Sequence, residues 1–257
     1  MAVPVHEIEN KRAGERHLVI CLANIRSDAQ ASFEDWQKRK LKEISSRCGV
    51  LGVHSHQCSE NSDFYTPGWM RTQFEKPDLP IPYEFLTIFE IEGDLEKSLD
   101  DGDWVDKYQK EANDFADSKM CAVWAYTQSG ETLGESTSAD IHHILVVFSN
   151  PIVGAEVGFE DFYNLHLAEV LETPGFLRAK RFWAKKNVFT PSWIVNCGDI
   201  GPNGMPFQHC AIYEVESGIE VAMSALSEQA KMFTTFGEGI LDFEAIAGWR
   251  YVRLSDG

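Results

Sequence analysis

The sequence predicts an α+β protein in which a βαββαβ unit occurs twice, and three internal matches predict it. HLVICLANIRSDAQASFEDW (17–36) lies over HHILVVFSNPIVGAEVGFEDF (142–162) without a gap from His17 and His143 onward; Asn24 meets Asn150 and Phe33-Glu34-Asp35 meets Phe159-Glu160-Asp161, an offset of 126 residues. PYEFLTIFEIEGDLEKSL (82–99) lies over PFQHCAIYEVESGIEVAM (206–223) at an offset of 124, and AVWAY (122–126) over AGWRY (247–251) at 125. Three blocks in one order at a nearly constant offset are the signature of a tandem repeat.

Each copy reads the same way. An apolar run (18–23; 144–149) is a first strand, broken in the second copy by Asn150-Pro151. A helix follows (32–46; 158–172), on which Phe159, Phe162, Tyr163, His166, Leu167 and Val170 recur at steps of three and four. Pro174-Gly175 ends it, and a second strand comes next (50–57; 176–183). A long loop leads to a third strand (84–91; 208–215), then a second helix (103–117; 219–232) and a last strand (120–126; 247–253). This is the split βαβ, or ferredoxin-like, plan, with helices on one face of an antiparallel sheet. The bare face of each sheet needs a cover, and the nearest is the other copy, so the two tandem repeats should pack together, sheet to sheet, as a pseudo-twofold barrel. The expected division is an N-terminal extension (1–16), a first repeat (17–127), a Gly/Ser/Thr-rich linker (128–140) and a second repeat (141–257).

Composition narrows the function. A net charge of −17 opposes binding to nucleic acid or to anionic membranes. The first residues are polar and no apolar run reaches membrane-spanning length, which points to a cytoplasmic protein. Six cysteines without a CxxC pair read as reduced thiols rather than a disulfide frame or a zinc site.

The second copy carries a more specific pattern. A strand ending in Asn-Pro precedes a helix with N-x-H-L-x-E-V-L (Asn164, His166, Leu167, Glu169, Val170, Leu171), then Pro174-Gly175-Phe176 and an aromatic-rich strand; PFQHCAIYEVE follows as the third strand. In these features the chain resembles the dimeric α+β barrel superfamily, and within it the EthD-like branch. The resemblance covers both halves and is stronger in the second. It implies a pseudo-dimeric α+β barrel within one chain. It also implies a range of activities: cofactor-free oxygenases, cyclases, lyases and isomerases, some haem enzymes, and a helix histidine that often enters the cavity.

Two histidines stand out. His166 replaces the first copy's Lys40, and helical spacing sets it beside Phe162, Tyr163 and Val170, facing the sheet. A half-buried imidazole there can move protons, or can be a core histidine bonded to a carbonyl. His209 replaces Phe85, and strand alternation sets it on one face with Tyr213. It either faces the helix of His166 or sits at the solvent rim. Phe162, Tyr163, Trp183 and Trp193 are candidate substrate walls. Asn150 is a further candidate contact, although its match to Asn24 favours a turn role. His54 and His56 share a strand face but lack a third metal ligand nearby, so no metal is expected.

The segments 59–82 and 184–206 are long, aromatic, and each carries a Thr-Pro pair shortly before a Trp; they read as lids or subunit arms. The expected function is a cofactor-independent, lyase-type enzyme. It would use His166, with His209 or Tyr213, for proton transfer (dehydration, elimination, cyclisation or isomerisation) on a hydrophobic, aromatic small molecule. The rivals are a haem protein with His166 as the iron ligand and a non-catalytic assembly module. A further pairing into a homodimer is left open.

Overall fold

The computed structural model describes residues 14–71, 81–100, 104–116, 121–135, 143–191, 204–216, 218–235 and 237–254. The elements of the first half are β1 (Arg16–Ala23), α1 (Gln30–Ser45), β2 (Val50–Tyr65), α2 (Gly68–Arg71), β3 (Phe85–Glu92), α3 (Leu95–Asp100), α4 (Trp104–Ala112) and β4 (Ala122–Gly134). Those of the second are β5 (His143–Ser149), α5 (Glu156–Leu171), β6 (Phe176–Phe189), β7 (His209–Val215), α6 (Ile219–Gln229) and β8 (Ala247–Arg253). None of the described helices is long and apolar enough to cross a membrane.

All eight strands form one closed barrel in the order β1-β3-β2-β8-β5-β7-β6-β4, with β4 returning to β1. Within each half the order is fourth, first, third, second. The halves meet along two antiparallel seams, β2 with β8 and β4 with β6. The sheets are therefore sealed edge to edge, and none of the eight described strands is left as a bare edge to template further pairing. Closure works because β2, β4 and β6 run past their expected ends, to Tyr65, Gly134 and Phe189. The opening parts of the segments expected as long loops, and residues 128–134 of the expected linker, are thus strand. In the first half the expected helix over 103–117 is described over 104–112, and a further short helix not expected from the sequence spans 95–100.

Alternation along the strands separates three layers of core. The barrel interior is crowded with rings, among them Trp124, Tyr126, Phe148, Phe207, Trp249 and Tyr251. Outside, α1 and α4 cover the first half with Phe33, Trp36 and Tyr108. Helices α5 and α6 cover the second with Phe159, Tyr163, Leu167 and Leu226.

Polar bonds recur at matching positions across the seams. Trp124 Nε1 donates to Thr190 Oγ1 at 2.9 Å, and Trp249 Nε1 to Thr66 Oγ1 at 3.0 Å. Each Thr-Pro pair thereby anchors the buried indole of the other half. Asn24 clips the end of β1 to the start of β3, donating to Pro82 O (2.7 Å) and accepting from Glu84 N (2.7 Å). Asn150 makes the same two bonds with Pro206 O (3.0 Å) and Gln208 N (2.6 Å). The turn from α5 into β6 requires a glycine: Gly175 has φ 94°, and a Cβ there would lie 2.7 Å from that of Ala222.

Candidate active site between helix α5 and the sheet

The site lies on the outer face of β5, β7 and β6, beneath α5. Cys210 and Ile212 of β7 enter the barrel, so His209, Ala211 and Tyr213 face outward toward α5, as alternation predicts. Pairing places His209 opposite Ser149 on one side and Trp183 on the other. Its ring lies 4.1 Å from that of Tyr163, 5.0 Å from Phe159 and 5.5 Å from Trp183. Nδ1 is 3.4 Å from Ser149 Oγ, which is 2.9 Å from the Tyr163 hydroxyl. Nε2 has no hydrogen-bond partner among the described residues. Burial, and secondarily the charge of Arg181, hold this imidazole well below its ordinary range, so it is neutral. Burial raises the Tyr163 phenol to about 12, with the Ser149 hydrogen bond working against it.

Arg181 is the buried cation of this layer. It binds Glu160 (Nη1 to Oε2, 2.5 Å) and donates to Asn164 Oδ1 at 2.8 Å. The Trp183 indole N–H also donates to Glu160, which orients the ring beside His209. The guanidinium ties two α5 residues to β6 and fixes the helix over the sheet.

His166 departs from its expected orientation. It lies on the flank of α5 and points to the segment after α6, not to the sheet. Phe162 stacks on its ring (4.8 Å, 17° between planes), and Phe233 meets it edge-on at 5.5 Å. Its Nδ1 is 3.2 Å from Thr235 Oγ1, and that hydroxyl donates its only proton to Glu169. The oxygen can therefore only accept from the imidazole, which fixes the Nδ1–H tautomer and leaves the lone pair on Nε2. Burial lowers this histidine to about 4, and Glu169 opposes the shift. Burial would raise the Glu169 carboxyl, but hydrogen bonds from Thr234 and Thr235 outweigh it and hold the group down at about 2. The result is a carboxylate–hydroxyl–imidazole relay. In the first half the matching residues form an ion pair, Lys40 to Glu43 at 3.1 Å, which Lys40 shares with Glu111, also at 3.1 Å.

Tyr163 links the two histidines, its ring 6.1 Å from that of His166 and 4.1 Å from that of His209. Tyr213 is on the same face of the sheet, packed on Phe176 at 6.1 Å and within the electrostatic reach of Tyr163. Asn150 is not part of the cluster. Its carboxamide is engaged by backbone at both ends, as that of Asn24 is, and so clips the end of β5 to the start of β7. Trp193 lies outside the described residues. Glu169 was visible in the helix motif three residues after His166. Thr235 carried no sequence signal, being 69 residues away.

A second polar cluster, not anticipated, closes one end of the barrel interior. Around a cavity of about 220 Å³, Arg178 binds Glu214 at 2.6 and 2.7 Å, and Lys180 binds Glu90 at 2.8 Å. Arg253 Nη2 lies 3.1 Å from His54 Nδ1, which also lines this cavity. Its sequence traces were the inward alternation of Arg178 and Lys180 and the matched Glu90 and Glu214.

The architecture and the helix-covered outer faces define a dimeric α+β barrel fold in a single chain. No protein-family model and no curated protein matches the sequence. Solved structures match over nearly the whole length. A Fusobacterium nucleatum protein provisionally described as a monooxygenase superposes with a TM-score of 0.57 at 9% identity, covering 95% of this chain and 94% of that one. An anthrone oxidase-like protein gives 0.53 at 10% identity (94% and 92% covered). The chlorite dismutase of Candidatus Nitrospira defluvii, in complex with imidazole, gives 0.54 at 9% identity (94% and 92% covered). Identities this low establish the shared fold and leave activity to the site.

Proposed function

We propose that the two halves are copies of one ferredoxin-like unit, and that the second copy is the active site of a cofactor-independent enzyme doing proton-transfer chemistry on a hydrophobic, aromatic small molecule. The observation that carries this reading is the Glu169–Thr235–His166 relay, which presents Nε2 of a neutral, half-buried imidazole in a cradle of Phe162 and Phe233. His166 is the general base. Its basicity, suppressed by burial, recovers when an enolate or phenolate forms beside the imidazolium. Tyr163, joined through Ser149 to His209, returns the proton at a second position. Phe162 and Trp183 supply apolar walls, and Tyr213 borders the same layer. Elimination, isomerisation and cyclisation all follow from that pair of transfers. The same abstraction yields the electron-rich anion that reacts with dioxygen without a cofactor, in keeping with the oxidase-like descriptions of the structural neighbours.

The test is to extract small molecules that co-purify with the protein, identify them by mass spectrometry, and return them to the enzyme in D2O. Wild type should incorporate solvent deuterium and a folded His166→Gln variant should not. Equal incorporation by both would remove His166 from the mechanism.

One observation favours a second reading. A histidine whose Nδ1–H is held by an acceptor presents Nε2 as histidine iron ligands do. Haem bound there would supply redox chemistry, with Thr235 and Glu169 setting the orientation and basicity of His166. A Soret band in the purified protein, lost in His166→Gln, would select this reading.

A further inference from the structure

The first half has an open pocket where the second half is filled. Between α1 and β2 lies a cavity of about 530 Å³, floored by Leu41 and Val53 and walled by Gln37, Ser55 and Gln57. The register identifies its counterpart. Ser55 pairs with Thr87 as Arg181 pairs with Ala211, and Gln57 pairs with Phe85 as Trp183 pairs with His209. Both strands shift register at the same place, after Val50 and after Phe176. Helices α1 and α5 have the same length, 16 residues, and Gln37 takes the place of Tyr163. Where the second half inserts a phenol, a guanidinium and an indole, the first has two carboxamides and a hydroxyl. The pocket is the space those three planar groups would occupy.

Its polar lining is set for a ligand. Ser55 is 5% exposed, and its Oγ has no hydrogen-bond partner among the described residues, which is costly for a hydroxyl that contacts nothing. The Gln37 amide nitrogen donates to Thr87 Oγ1 at 3.2 Å and that of Gln57 to Glu84 Oε1 at 3.3 Å, which fixes both side chains at the wall. Volumes of this size accommodate ordinary small-molecule ligands, and a pocket made by removing flat side chains favours a flat occupant.

We propose that this pocket binds a planar aromatic small molecule with hydrogen-bonding groups at its edge, the ring lying over Leu41 and Val53 and the edge meeting Ser55 and the two glutamines. The site is distinct from the His166 cluster and does not depend on its chemistry. Indole, the group that fills this space in the other half, is the probe. Titrated into the isotopically labelled full chain, it should shift the side-chain amide resonances of Gln37 and Gln57 and the backbone resonance of Ser55, saturating in the millimolar range or below. The Ser55→Arg/Gln57→Trp variant, which copies the second half, should remain folded and lose the response. Gln57→Trp alone, at a half-exposed position, serves if the double variant does not fold. Shifts elsewhere only, no shifts, or equal binding by a folded filled-in variant would overturn the proposal.

Discussion

Acidification from pH 7 to pH 5 should remove about 4 kcal/mol of folding stability through His56 and His166 alone, with His209 adding to the loss in the same direction. Three imidazoles are responsible. His56 is lowered to about 3 by burial, then by His54 and Arg253; His166 is lowered to about 4; and His209 is held well below its usual range. In the unfolded chain each returns to about 6.5 and binds a proton that the native state refuses. The sign follows: stability is intact above pH 6.5 and falls as the pH drops toward the folded values. Near pH 5.5 His56 and His166 leave the unfolded state with about 1.8 extra protons, a slope of about 2.4 kcal/mol per pH unit before His209 is counted. A domain near the lower end of the usual range of about 5–15 kcal/mol then unfolds near pH 4 to 5. Glu169, held down at about 2, adds to the loss only below its usual range of about 4.5, which separates the two effects. The assay is urea unfolding at half-unit intervals from pH 7.5 to 4.5. His209→Phe, which installs the first half's own residue, should fold and flatten the slope. A wild-type slope of about 1.4 kcal/mol per pH unit or less between pH 6 and 5 would refute the reasoning, since it would mean that at most one imidazole is buried neutral.

Further outcomes follow from single contacts. If His166 is the base, kcat/KM should be flat above about pH 5 and fall as His166 takes a proton near 4, provided the fold is held by ligand or by brief acid exposure; loss of activity already at pH 7 would contradict it. Thr66→Val and Thr190→Val should each cost about 1–3 kcal/mol in urea unfolding, by orphaning the N–H of Trp249 and of Trp124, and the two costs should be similar. Lys180→Met should cost about 3–5 kcal/mol because it strands Glu90 and crowds Glu214, with part of the loss recovered by Glu90→Gln in the same chain. Asn150→Ala should cost about 2 kcal/mol and speed hydrogen exchange at the Gln208 amide, with no separate effect on substrate affinity.

The unit, its order of elements and the facing of its strands were legible in the sequence. Hydrophobic alternation and helical spacing are local, so they can be read from the sequence in each half. His209 and Tyr213 share the helix side of β7 because strand geometry leaves no alternative. That the chain would form a barrel was expected from the sequence, but the strand extensions that seal it were not. The strand ends that make the seams, such as SENSDFY and QSGETLG, are polar and lack alternation; only the edge of the other half, with its unpaired backbone groups, makes them strand. The orientation of His166 was likewise decided by tertiary structure. Its place on α5 follows from helical spacing, but its tautomer and low proton affinity depend on Thr235, Phe233 and burial, and the segment after α6 supplies those only once the chain has folded.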